Sequence, residues 1–125
     1  MLNEIYIEGT EDHPNVVLNK EKGIFEITGR SLPEDAGKFY DPVQKWIEEY
    51  VKNPIAQSEF VFKFDYFNST SARKIAAILL EVEKILDKGK KVRIIWFYHP
   101  NDEMMKEVGE DFKSFMKVPF ELRSL

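Results

Sequence analysis

Hydrophobic and polar residues follow two different periods along the chain. Residues 59–67 place phenylalanine or tyrosine at every second position, which predicts a β-strand. Residues 75–86 repeat apolar side chains at spacings of three and four, which predicts an amphipathic helix ending at Gly89. Residues 92–98 are apolar on both faces, as is typical of a central, buried strand.

The remaining segments predict further strands and two further helices. One helix is expected to begin at Asp41 and Pro42, because an acidic cap followed by proline favours a helix start. Another is expected to begin near Asn101 and Asp102 and to direct six apolar side chains inward: Met104, Met105, Val108, Phe112, Phe115 and Met116. The additional predicted strands cover residues 5–8, 16–18, 24–28 and 119–122.

The order of these elements predicts the fold class. Strands alternate with helices after an initial hairpin, so the later strands should be parallel and the early ones antiparallel. We expect an α/β protein with a mixed sheet of about five strands and three or four helices packed on it. The length of 125 residues predicts one domain covering residues 1–125.

Composition and charge exclude several classes of function. The net charge of −4 and an isoelectric point near 5.3 argue against a nucleic-acid partner. The chain has no apolar run of 18 residues, and its first residues lack the pattern of a signal peptide, so we expect no membrane partner. The absence of cysteine excludes disulfides, thiolate metal sites and thiol nucleophiles, and fits a cytoplasmic protein.

Catalytic and metal-binding patterns are weak. His13 and His99 each precede a proline in a predicted loop, and phosphate-binding glycine loops are missing. Glu103, Glu107 and Glu110 share one helix face, which could bind a cation or a basic partner but is more typical of a solvated face. We therefore predict no enzyme activity, no metal and no cofactor; an enzyme using His99 and these carboxylates remains an alternative.

The segment 68–71, Asn-Ser-Thr-Ser, lies where a buried strand passes into a helix. Free backbone N–H groups at a helix start favour a capping side chain or an anion, and Arg73 and Lys74 add positive charge there. A phosphate would bring about −1.5 to −2 charges to this turn. Capping alone and regulatory phosphorylation both remain possible from these residues.

Aromatic side chains near the ends of elements allow two interpretations. Packing within the core accounts for most aromatic residues in a protein of this kind. The residues Phe39, Tyr40, Tyr66, Phe67 and Tyr98 could instead line an exposed patch for a protein partner.

Four segments together resemble the SiaC-type regulatory phosphoproteins, small bacterial proteins with a fold like the STAS domain of anti-sigma-factor antagonists. The first two segments are Gly9-Thr10 with Pro14 and Val16, and Gly29-Arg30-Ser31-Leu32-Pro33-Glu34 continuing through Phe39-Tyr40-Asp41-Pro42-Val43 to Trp46. The others are Asp65-Tyr66-Phe67-Asn68-Ser69-Thr70-Ser71, and Trp96-Phe97-Tyr98 with Asp102-Glu103, Glu107, Gly109-Glu110 and Pro119-Phe120.

The resemblance implies a partner-switching function. In such proteins a serine/threonine kinase phosphorylates a hydroxyl at the helix start, a metal-dependent phosphatase reverses this, and the unphosphorylated form activates a diguanylate cyclase. The family motif Asn-Thr-Ser-Ser places the acceptor at Ser69 here, with Thr70 as second choice. The expected partner-binding residues are Tyr66, Phe67, Asn68, Ser71, Arg73, Tyr98, Asp102 and Glu103. A small-molecule-binding module without phosphoregulation is the alternative, and the sequence leaves the oligomeric state open.

Overall fold

The computed structural model describes residues 2–125, which form six strands and three α-helices. In chain order they are β1 (Ile5–Ile7), β2 (Asn15–Asn19), β3 (Ile24–Ser31), α1 (Ala36–Lys52), β4 (Gln57–Phe67), α2 (Ser69–Glu83), β5 (Lys91–Tyr98), α3 (Glu103–Phe115) and β6 (Phe120–Ser124). A 3₁₀ turn, Lys84–Lys88, continues α2 to Gly89, whose φ of 72° ends it as predicted. The mixed α/β fold is confirmed, with six strands rather than about five.

The sheet follows the order of the chain from β1 to β6. The pairs β1–β2 and β2–β3 are antiparallel, and the strands from β3 to β6 are parallel. Because right-handed crossovers join parallel strands that are neighbours in sequence, α1, α2 and α3 lie on the same face of the sheet. The carboxyl ends of β3, β4 and β5 therefore meet at one edge, beside the starts of all three helices.

The core lies between this sheet face and the helices. Phe25 of β3 is paired with Phe60 of β4, and both side chains are buried. Tyr50 of α1 contacts Phe25 with ring centroids 4.8 Å apart, and Phe112 of α3 contacts Trp96 of β5 at 5.5 Å. One hydrophobic layer thus contains the alternating phenylalanines of the strands and the apolar faces of the helices. The spacing of two residues in the strands and of three to four residues in the helices predicts this arrangement.

The opposite face of the sheet carries charged side chains. Arg93 of β5 pairs with Glu59 of β4 and with Glu121 of β6 across neighbouring strands, and Arg123 pairs with Glu121 within β6. Ile95, between them on β5, is only 1% exposed. The middle of β5 is therefore buried on both faces, as the sequence indicates for a central strand, although Arg93 is exposed.

The predicted start of α1 is wrong by six residues. The helix begins at Ala36, where the Asp35 side chain accepts a hydrogen bond from the Lys38 N–H at 3.0 Å. Pro42 therefore lies within α1 rather than at its first position. Its missing N–H removes only the hydrogen bond to the carbonyl of Lys38, in the first turn, so the helix continues through it.

The inward orientation predicted for Met104 and Phe115 is also wrong, because these side chains are 72% and 60% exposed. The prediction is confirmed for Met105 and Phe112, which are buried, and α3 packs through these two side chains and Gly109. A Cβ at Gly109 would stand 2.5 Å from an atom of the Trp96 indole, so glycine permits this close approach and fixes which face turns inward.

Within residues 2–125, every helix is too short or too polar to cross a lipid bilayer.

Candidate functional site

The segment 68–71, here called the tip, connects β4 to α2. Asn68 has extended backbone angles and is the N-cap of α2: its side chain accepts a hydrogen bond from the Ser71 N–H at 2.9 Å. The Thr70 hydroxyl donates to the same Asn68 oxygen at 3.1 Å. Asparagine is among the best N-cap residues, so Asn68 rather than a serine or threonine defines where the helix begins.

The three hydroxyl groups of the tip have different surroundings. Ser69 is exposed, and its hydroxyl makes no hydrogen bond within residues 2–125. Thr70 is also exposed but is bonded to Asn68, whereas Ser71 is fully buried. Only Ser69 and Thr70 are therefore accessible to a modifying enzyme from outside.

The buried Ser71 belongs to a network of hydroxyl groups beneath the tip. The Ser31 hydroxyl donates to Ser71 Oγ at 3.0 Å and lies 2.5 Å from the hydroxyl of Tyr40. Ser31 also accepts the backbone N–H of Asn68 at 3.1 Å, so β3 holds the tip through both its side chain and its carbonyl. Burial raises the pKa of Tyr40 to about 12, although the bond to Ser31 partly opposes this.

This network corrects the partner-binding role predicted for Ser71, because a fully buried side chain offers no surface to a partner. The sequence patterns assign no role to Ser31, and place Tyr40 only in a possible exposed patch, whereas it is 1% exposed. Both residues lie in a segment that carries the family resemblance, which was the only signal for them.

The aromatic residues before the tip are partly available. Tyr66 is 47% exposed, and the Arg30 guanidinium lies 5.8 Å from the centre of its ring. Phe67 is half-buried and packs edge-on against Phe64 and Trp96. Tyr66 can therefore contact a partner, while Phe67 mainly anchors the end of β4.

A second loop lies beside the tip, because β5 is the neighbour of β4. His99 in this loop contacts the Asp65 side chain of β4 at 2.8 Å. Asp102 is half-buried and caps α3 by accepting the Met105 N–H at 3.0 Å. Glu103 is exposed in the first turn of α3.

The half-buried Tyr98, at the end of β5, lies 6.0 Å from the Lys106 ammonium, measured to the ring centre. Of the predicted partner-binding residues in this loop, Glu103 is therefore the most accessible.

A cleft of about 1300 Å³ opens on the other side of the tip, between the first turns of α1 and α2. We call it the α1–α2 cleft. Three cationic residues line it: Lys38 of α1, and Arg73 and Lys74 of α2. Thr70 also lines it, so the cleft is continuous with the tip. The charge pattern near residues 73–74 was visible in the sequence, but the contribution of Lys38 required the approach of the two helices.

The residues of the alternative enzyme interpretation, His99 and the carboxylates of α3, have separate surroundings. No group of three or more histidine, aspartate or glutamate side chains in residues 2–125 could hold a metal ion. His99 contacts Asp65 and not the carboxylates of α3, while His13 stacks on Phe39 with ring centroids 5.1 Å apart. The acidic residues Glu103, Glu107 and Glu110 are exposed along α3.

An exposed hydroxyl at a capped helix start is compatible with the site of a small regulatory phosphoprotein. Comparison with known proteins agrees: the sequence model described as SiaC family regulatory phosphoprotein matches residues 7–125. The chain belongs to this family.

Similar proteins come from Pseudomonas aeruginosa. An uncharacterized protein of strain UCBPP-PA14 is 24% identical over 123 residues, covering 98% of each chain. The crystal structure of the diguanylate cyclase SiaD in complex with its activator SiaC contains a chain with 24% identity and a TM-score of 0.89, covering 97% of this chain and 99% of that one. Apo-SiaC matches with 23% identity and a TM-score of 0.88, over 97% and 98% of the two chains.

Proposed function

We propose that this chain is a non-enzymatic regulatory protein that binds and activates a diguanylate cyclase, and that reversible phosphorylation at the tip switches this binding off. Membership of a family of regulatory phosphoproteins supports the phosphorylation. The complex of the similar SiaC with the cyclase SiaD supports the choice of effector. The exposed, unbonded hydroxyl of Ser69 is the observation within this chain that carries the proposal.

Ser69 is the preferred acceptor, for reasons of both access and stability. Its hydroxyl is free to enter a kinase active site, and Asn68 supplies the helix cap, so modification of Ser69 removes no capping bond. A phosphate at the first helical position also lies near the positive end of the helix dipole. Thr70 is the second choice, because its hydroxyl must first leave Asn68.

Phosphorylation changes binding through charge and desolvation. A phosphate of about −1.5 to −2 charges would be buried without full pairing when a partner covers the tip. A loss of about 3 kcal/mol lowers affinity roughly a hundredfold. A serine/threonine kinase and a metal-dependent phosphatase complete the cycle in the cytoplasm, and Tyr66, Arg73 and Glu103 are exposed around the tip to contact these partners.

The proposal is tested by measuring the affinity of the purified protein for the diguanylate cyclase of the same organism. Ser69→Ala should bind as the unmodified protein does, and Ser69→Asp should bind at least tenfold more weakly. Ser114→Asp, at an exposed serine in the last turn of α3 and away from the helix starts beside the tip, is the matched control and should have no effect. Equal affinity of all variants, or no binding by the unmodified protein, would contradict the proposal.

A second experiment locates the acceptor. Incubation with the cognate kinase, followed by phosphopeptide mapping, should give modification at Ser69 and none in Ser69→Ala. Modification of Thr70 alone would move the site by one residue and retain the switch. Absence of phosphate from both residues would overturn the proposed regulation.

A further inference from the structure

We propose that the α1–α2 cleft is the docking site for an acidic segment of the effector protein, and that phosphate at the tip prevents docking by repelling that segment. The inference rests on the proposed function and adds to it the surface that the effector occupies and the charge of its contacting segment.

The cleft has a positively charged wall formed by two helices. Lys38 belongs to the first turn of α1, and Arg73 and Lys74 to the first two turns of α2. The two turns approach closely: a Cβ added to Gly37 would stand 3.7 Å from the Lys74 Nζ. The Lys74 side chain therefore reaches across to the first turn of α1.

The positive charge of the cleft is largely unsatisfied. Lys38 and Arg73 are exposed and form no ion pair within residues 2–125, and Lys74 lies 3.7 Å from Asp41 in a solvent-exposed pair. Exposed pairs of this kind contribute little stability. Of the two acidic residues in the cleft, Asp35 is engaged by the Lys38 backbone N–H.

The remaining lining indicates what kind of molecule fits. Ala36, Phe39 and Ala77 supply apolar surface between the charges. The volume of about 1300 Å³ exceeds the roughly 300–1000 Å³ of usual small-molecule sites, and the cleft is open along its length. A protein segment carrying carboxylates for the cations and apolar side chains for Phe39 and Ala77 matches both features.

The position of the tip links this surface to phosphorylation. Thr70 lines the cleft and Ser69 precedes it in the same turn. The lining carries three cationic and two acidic residues, and Asp41 is paired with Lys74, so a phosphate of about −2 charges would make the surroundings of the cleft negative. An acidic segment attracted to the unmodified cleft would then be repelled, so one modification suffices to switch binding.

Charge reversal in the cleft tests the inference separately from the proposed function. Affinity for the purified diguanylate cyclase of the same organism should fall at least tenfold in both Lys38→Glu and Arg73→Glu. Lys88→Glu, an exposed lysine in the 3₁₀ turn after α2, should stay within twofold. Unchanged affinity of both cleft variants, with Ser69→Asp still weak, would overturn the inference and leave the proposed function standing. No binding by the unmodified protein would overturn both.

Crosslinking can identify the docking segment of the cyclase. Because the chain contains no cysteine, a single introduced cysteine can be labelled specifically. A benzophenone maleimide on Ala77→Cys should crosslink to an acidic peptide of the cyclase, and the same label on Lys88→Cys should not. Crosslinking should disappear when Ser69 is replaced by aspartate. A basic peptide, equal products from both positions, or no product from position 77 would contradict the inference. Circular dichroism of each variant should match that of the unmodified protein.

Discussion

Replacing Ser31 with alanine should destabilise the protein more than the loss of one exposed hydroxyl would. The Ser31 hydroxyl is fully buried and bonds to both Tyr40, at 2.5 Å, and Ser71, at 3.0 Å. Its removal leaves two buried hydroxyl groups without their shared partner. The backbone bond from the Asn68 N–H to the Ser31 carbonyl is retained, so the effect reports on the hydroxyl network.

The magnitude follows from the number of groups left unpaired. Each buried polar group without a partner costs about 1–3 kcal/mol, and Tyr40 and Ser71 can partly recover by bonding to each other. We expect Ser31→Ala to lower the free energy of unfolding by about 2–4 kcal/mol. The free energy of unfolding of a domain of this size is about 5–15 kcal/mol. The variant should therefore still fold, but it should unfold at a markedly lower denaturant concentration.

A matched control is offered by the second buried serine–tyrosine pair. Tyr50 contacts Ser58 at 2.6 Å but also accepts the Ile55 N–H at 3.2 Å, so Ser58→Ala leaves that hydroxyl one partner. Urea unfolding should therefore show a larger loss for Ser31→Ala than for Ser58→Ala. A change below about 0.5 kcal/mol in Ser31→Ala, or an equal change in both, would refute this account of the network.

Three further variants test separate parts of the structure. Gly109→Ala should lower the unfolding free energy by about 1–3 kcal/mol, because its Cβ meets the Trp96 indole; an unchanged urea midpoint would count against that packing. Asn68→Ala should lower the free energy of unfolding by about 1 kcal/mol, because the N-cap of α2 is lost. Hydrogen exchange of the Ser71 amide should become faster, and unchanged exchange would argue against the cap. Burial raises the pKa of Tyr40 from 10 to about 12. The folded state therefore favours the neutral phenol, and this contribution to the free energy of unfolding, roughly 3 kcal/mol, is present below pH 10 and is lost as the pH rises towards 12. Tyr40→Phe should flatten that part of the denaturation profile, and parallel profiles would disprove this assignment.

The fold could largely be predicted from periodicity. The alternation along β4, the helical spacing of α2 and the stop at Gly89 each rest on local chemistry, and the structure agrees with them. One error arose between two local helix-start signals, and the other arose from a tertiary contact. Pro42 resembles a helix start but lies inside α1, because Asp35 caps the helix earlier. The outward side chains of Met104 and Phe115 follow from the packing of Gly109, which no periodicity measures.

The candidate site could be predicted only in part, for a similar reason. Asn68 and the two accessible hydroxyls belong to one turn, and a local sequence pattern can indicate them. Ser31 and Tyr40 reach the tip from other elements, and their bonds exist only after β3, α1 and α2 have packed. Ser71 resembles its exposed neighbours in sequence, yet it lies on the buried side of α2. Hydroxyl groups at successive positions of a helix point in different directions. The orientation of α2 therefore decides that Ser69 and Thr70 are accessible while Ser71 is buried.

The most direct test is the affinity of the diguanylate cyclase of the same organism for this protein carrying phosphoserine at position 69, compared with the unmodified protein. Isothermal titration calorimetry on the two homogeneous forms measures the effect of the phosphate alone. We predict binding by the unmodified protein and at least hundredfold weaker binding by the phosphorylated one, with both forms equally folded. Equal affinities, or tighter binding of the phosphorylated form, would contradict the claim that a charge gained at the tip releases the effector.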